Sequence, residues 1–133
     1  MDITVSHKQG FVPVTVFHIK GDVDMSTSEQ LQMQARQALE SGTRNLLLDL
    51  AEVPYVSHAG IRAMNNIFNL LRANAPDESE EVISQGLRDG TFKSLHLKLL
   101  NPNPQVAQVL TRAGVDMFLE MRCDLQTAVA SFN

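Results

Sequence analysis

A chain of 133 residues, 44% apolar and with a net charge of −4, has the size and make-up of one globular domain with one core. Its Lys and Arg residues are scattered singly, which argues against a clustered basic face for nucleic acid. Cys123 is the only cysteine, so an internal disulfide and a cysteine-rich metal site are excluded. No apolar run approaches the ~20 residues that a bilayer-spanning helix needs. The opening Met1-Asp2-Ile3-Thr4 lacks the charged-then-apolar layout of a signal peptide. A soluble, cytoplasmic protein that engages neither nucleic acid nor membrane is expected.

Ile3 to Ser6 and Phe11 to Ile19 are rich in β-branched and aromatic residues, and Lys8-Gln9-Gly10 between them suits a hairpin turn. Pro13 predicts an edge position or a bulge at that point of the second strand. Gly21-Asp22-Val23-Asp24 is a turn cluster. Ser26 with Glu29 has the capping-box spacing that opens a helix. That helix carries Leu31, Ala35, Ala38 and Leu39 on one face and ends near Gly42.

Asn45 to Leu50 contains four leucines and predicts a short strand covered on both faces. Pro54 falls in the connection that follows. A second helix starts near Ser57, with Ile61, Met64, Ile67, Phe68 and Leu71 on its apolar stripe and Arg62, Asn65, Asn66 and Asn69 opposite. Residues 74–93 break the pattern with Pro76, an acidic run and two glycines, which is long for a connection inside a domain. A solvated loop is the simple reading, and selection of a partner is the functional one. Ile83 and Leu87 could share a face of a short helix capped by Ser79.

Leu95 to Leu99 alternates as a strand with one covered face. Asn103 and Pro104 fit a cap and first position of a third helix, which buries Val106, Val109, Leu110 and Ala113 and stops at Gly114. Met117 to Met121 reads as a last strand, and Asp124 as the cap of a last helix through Leu125, Val129 and Phe132. The order ββαβαβαβα predicts an α/β fold: a mixed, largely parallel sheet of about four or five strands covered by about four helices.

Enzyme signatures are missing: there is no G-x-S-x-G elbow, phosphate loop or dinucleotide fingerprint. The four histidines lack metal-ligand spacing, so no metal and no cofactor is expected. His18 and His96 fall on the polar phase of their strands, which predicts solvent-facing side chains. The informative stretch runs from Asp49 to Arg62. A buried strand there passes through a short loop straight into a helix N-terminus, whose free N–H groups and positive end suit a partner's carboxylate or a phosphate. Ser57 could equally be a helix cap and nothing more.

Asp49-Leu50-Ala51 followed by Ser57-His58-Ala59-Gly60-Ile61-Arg62 resembles the signature of STAS domains, the domains of bacterial anti-sigma factor antagonists. There a strand ending in D-L/F-S is followed by D-S-S-G or S-S-A-G-L-R and an apolar helix. Gly21-Asp22-Val23-Asp24, Leu110 to Val115 and Asp124 to Val129 resemble three further blocks of that family, in the same order. The resemblance covers nearly the whole chain outside residues 74–93, and implies one STAS-like domain over residues 1–133 with an atypical acidic insertion. It also implies a binding module rather than an enzyme, one that sequesters an anti-sigma factor or a serine kinase-like protein until phosphorylation of a serine at the helix start ends the binding. A phosphate placed in a contact surface adds close to two negative charges, enough to break a fit made to a hydroxyl.

With Gly60 aligned, Ser57 takes the place of the aspartate in D-S-S-G, and His58 and Ala59 replace the two serines, so the usual acceptor is absent. Two readings follow: Ser57 is a shifted phosphorylation site, or the domain is an unswitched scaffold subunit, which predicts self-association. Phosphoryl transfer to His58, and a small hydrolase using Ser57, His58 and Asp24, are weaker alternatives. The adjacent Ser57 and His58 have poor geometry for a nucleophile and its base. The expected partner-binding residues are Asp22, Asp24, Met25, Ser57, His58, Ala59, Gly60 and Arg62. Met25 and Met33 fall off the core stripe of the first helix, where methionine makes an adaptable contact.

Overall fold

The computed structural model describes residues 1–73 and 94–132. The helix expected around Ile83 and Leu87, like the rest of the acidic insertion, lies outside the described residues. Strands β1 (Asp2–Gln9) and β2 (Pro13–Lys20) form an antiparallel hairpin with Asp2 opposite Lys20 and Gln9 opposite Pro13. Pro13 is the first residue of its strand, a position where a missing N–H is tolerated. Strands β3 (Leu46–Glu52), β4 (Leu97–Leu100) and β5 (Glu120–Arg122) follow in parallel, giving the spatial order β1-β2-β3-β4-β5.

Strands laid down in sequential order with right-handed crossovers put every crossover helix on the same face. Helices α1 (Ser28–Glu40), α2 (His58–Arg72) and α3 (Pro104–Arg112) accordingly share one core. Leu31 and Ala35 of α1, Met64 and Ile67 of α2, and Val106 and Leu110 of α3 pack there on Phe17, Leu46, Leu48, Leu50, Leu97 and Leu99. Each fully buried leucine contributes about 2 kcal/mol of transfer free energy. The opposite face is covered over Val14, Val16, Leu47 and Leu100 by the short α4 (Leu125–Ala130) together with Phe132.

Lys98 points to that second face. Its Nζ donates to the Ser131 carbonyl and hydroxyl at 3.1 and 3.0 Å, pairs with Glu120 at 2.9 Å and lies 5.0 Å from the centre of the Phe132 ring. The lysine is only 5% exposed, so β4 is covered on both faces rather than the single face its alternation predicts. A long aliphatic stem can cross an apolar layer provided its head finds acceptors.

Three further expectations are corrected. The capping box at Ser26 and Glu29 does not form: Ser26 instead donates its N–H and hydroxyl to Asp24 Oδ1, at 2.9 and 2.6 Å. Met117 to Met121 is not a strand throughout, because Val115–Met117 is a 3₁₀ turn and β5 spans Glu120–Arg122. His96 does not simply face solvent: it precedes β4, and its Nδ1 hydrogen-bonds Asn45 Oδ1 at 2.9 Å. The caps at Ser57, Asn103 and Asp124 form as expected, accepting from the N–H groups of Gly60, Val106 and Thr127.

The start of the chain is held against the β2–α1 turn. Gln30 Nε2 donates to the Met1 carbonyl at 3.4 Å, and a Cβ on Gly21 would lie 3.3 Å from the Met1 Cα.

Candidate partner-docking groove at the strand ends

In open α/β sheets, ligands gather outside the carboxyl ends of the parallel strands, where loops turn into helix N-termini. Here the turn after β2 and the loop after β3 run side by side. Gly21 donates to the Glu52 carbonyl (3.1 Å), Val23 to that of Tyr55 (3.0 Å), and Ser57 N–H to that of Val23 (3.0 Å). Val23 and Val56 form a parallel bridge. The approach depends on Gly60, since a Cβ there would fall 2.4 Å from the Val23 carbonyl oxygen.

This ladder sets the Asp24 turn beside the start of α2. Asp24, Met25, Ser57, His58, Ala59 and Arg62 line one open groove, joined by Ser26 and Tyr55. Asp22 and Gly60 are not on that lining. Asp22 is exposed on the turn and gives its carbonyl to the Thr27 hydroxyl, at 2.8 Å. Gly60 is buried and packs against the Val23 carbonyl.

Ser57 Oγ accepts the Gly60 N–H at 3.3 Å from an extended backbone (φ −90°, ψ 177°), which is the geometry of a helix cap. Aspartate caps helices equally well, so serine in its place keeps the local structure. His58 and Arg62 stand one turn apart on the exposed wall of α2. Opposite them, the hydrogen bond from the Ser26 hydroxyl, joined by those from the Ser26 backbone and Thr27, outweighs desolvation and holds the Asp24 carboxyl below its usual range. One wall therefore carries a carboxylate and the other a guanidinium.

Sequence reading missed Tyr55 and Ser26. Tyr55 is 52% exposed and Met25 is 81% exposed, so the groove has two large apolar contributors. An exposed tyrosine in the turn before a helix gave the only available signal. Met33 is also exposed, on α1. Among the described residues, no three His, Cys, Asp or Glu side chains come close enough to hold a metal ion. No helix among them is long and apolar enough to cross a membrane.

A five-stranded mixed sheet, singly wound, with its loop groove between the first two crossovers, defines an α/β protein of the STAS type. The sequence model of the STAS domain family matches residues 2–76, more than half of the chain, and the chain belongs to that family. No curated protein matches this sequence. Among solved structures, a Thermotoga maritima protein superposes with a TM-score of 0.71 at 14% identity, covering 95% of this chain and 90% of its own. An anti-sigma factor antagonist from Mycobacterium paratuberculosis gives 0.69 at 16%, covering 98% and 93%. The Bacillus cell fate determinant SpoIIAA in its phosphorylated form gives 0.63 at 15%, covering 96% of each chain. At these identities the likeness is one of fold.

Proposed function

We propose that this protein is a cytoplasmic partner-switching or scaffolding module of the anti-sigma factor antagonist kind, acting by binding rather than catalysis. Residues 1–133 then form one domain, and the acidic stretch 74–93 is an insertion that tunes partner choice. The partner is an anti-sigma factor or a serine kinase-like protein, docked on Asp24, Met25, Ser57, His58, Ala59 and Arg62. One observation carries this reading: the β2–α1 turn and the start of α2 face the same open groove, whose lining combines exposed Met25 and Tyr55 with a carboxylate and a guanidinium. Aromatic, methionine and arginine side chains at the centre of a patch supply most of the energy of a protein interface.

Ser57 is a working helix cap, and alanine occupies position 59, which favours an unswitched scaffold over a phosphorylation switch. Capture from the native cell followed by mass spectrometry separates these readings. A Met25→Asp/Arg62→Glu double variant is expected to lose its partner by at least ~10-fold in recovery. Full retention would remove the groove from the proposal. Loss on Ser57→Asp favours the shifted switch, and an unchanged partner set favours the scaffold.

A further inference from the structure

On the sheet face that carries α4, away from the groove, three side chains from three adjacent strands form a hydrogen-bonded chain. Ser6 Oγ of β1 lies 3.0 Å from His18 Nε2 of β2, and His18 Nδ1 lies 2.8 Å from Asp49 Oδ2 of β3. His18 and Asp49 are register partners, and Ser6 is the diagonal neighbour of His18 across the hairpin. The expectation that His18 faces solvent alone is thereby corrected: flanking strands supply a partner to each ring nitrogen.

With the ring neutral and the carboxylate ionised, the donors and acceptors along the chain take one order. Asp49 Oδ1 accepts the Ala51 N–H at 3.1 Å, which orients the carboxylate and leaves Oδ2 for the ring. An ionised carboxylate only accepts, so Nδ1 carries the ring proton, and Nε2 of the neutral imidazole must accept. Ser6 O–H is therefore the donor to Nε2. A hydroxyl hydrogen-bonded to a base that is itself oriented by a carboxylate is the arrangement that activates a serine nucleophile. The His18 side chain is 33% exposed and Ser6 is partly buried at the edge strand, so a small molecule can reach the hydroxyl.

We propose that Ser6 is a reactive serine that takes up an acyl group from small activated acyl donors. Ser6 Oγ attacks the carbonyl carbon while its proton passes to His18 Nε2. The bond from that carbon to the leaving oxygen then breaks, the leaving group departs with the electron pair, and it recovers a proton from His18 or from water. The product is an ester at Ser6, made stoichiometrically.

The test treats the full chain with p-nitrophenyl acetate, follows p-nitrophenolate release and maps the acetylated peptide. Acetylation of Ser6 is expected. Ser6→Ala should abolish the Ser6 adduct, and His18→Gln should slow the reaction at least ~10-fold. Asp49→Asn should slow it comparably, because an amide N–H facing Nδ1 favours the tautomer that protonates Nε2. Acetyl groups on lysines alone, or unchanged Ser6 labelling in Asp49→Asn, would overturn the assignment. Should a variant fail to fold, ¹⁵N chemical shifts of His18 in the wild type decide the matter: a protonated Nδ1 and bare Nε2 support it, and the reverse tautomer refutes it.

Discussion

Glycine inside a helix ordinarily costs about 1 kcal/mol relative to alanine, so Gly60→Ala in α2 would be a stabilising change on propensity alone. The Val23 carbonyl oxygen, 2.4 Å from where the new Cβ would sit, reverses the sign. That oxygen already accepts from Ser57 and belongs to backbone, so it cannot swing aside like a side-chain end. Gly60→Ala should destabilise the protein by about 1–3 kcal/mol, read as a lower urea midpoint, with a greater loss of partner binding than of stability. A raised midpoint would mean that the turn and helix do not meet this closely. Asp24 gives a second test. Its folded carboxyl titrates below the usual range, so the linkage stabilises the fold above that range and is lost as pH falls through the lowered value. Carboxyl NMR titration should find Asp24 low in the wild type and displaced upward in Ser26→Ala.

What could be read from the sequence at this scale was whatever depends on near neighbours. Ser57, Asn103 and Asp124 cap helices through bonds to residues three positions on, and their types with the spacing announce it. Ser26 misled because two candidate caps lie within two residues, and Asp24 captured both the serine N–H and its hydroxyl. The partners of His18 and Lys98 lie 12 to 33 residues away, beyond the reach of periodicity. The side of the strand was readable for His18, but not the company it keeps there.

Among the elements, α3 shows how one cap can serve two masters. Asn103 Oδ1 accepts the Val106 N–H at 2.8 Å while Nδ2 donates to the Val53 carbonyl at 3.0 Å, tying the β4–α3 turn to the loop after β3. Asn103→Ala removes both bonds and should cost about 2 kcal/mol, whereas Asn103→Asp keeps the cap, loses the tie and should cost less. Chemical denaturation of the two variants checks the order, and equal costs would mean that the tie carries no weight. The α1, β3, α2 and α3 elements were legible because helical and buried-strand patterns are regular over many residues. β4 and β5 were harder, being four and three residues long, too short for alternation to declare which faces are covered.

For the molecule as a whole, a singly wound sheet leaves its second face dependent on a short C-terminal helix. Lys98 fastens that helix through Ser131, and Glu120 balances its charge. Burial pushes the Glu120 carboxyl up, but the hydrogen bond and charge of Lys98, together with Arg122, outweigh it and leave Glu120 below its usual range. A depressed carboxyl contributes stability above its unfolded value and loses it as pH falls through the folded one. Melting temperatures taken from pH ~6 to ~2 should therefore fall less steeply in Glu120→Gln than in the wild type. Parallel curves would remove Glu120 from the acid response. The STAS resemblance and the order of strands and helices along the chain were both visible in the sequence, because they rest on several blocks in sequence rather than on any single residue; the spatial order of the strands was not. The bond chains across the second face were not, since they exist only once non-adjacent strands are paired.

The tether between Gln30 and Met1 also bears on how the protein can be handled. An affinity tag fused ahead of Met1 would emerge next to the Gly21–Asp24 corner and could shield the very surface a capture experiment needs. A tag placed after the last helix would leave from the far side of the sheet, so bait attached by that end should recover more of the natural partner.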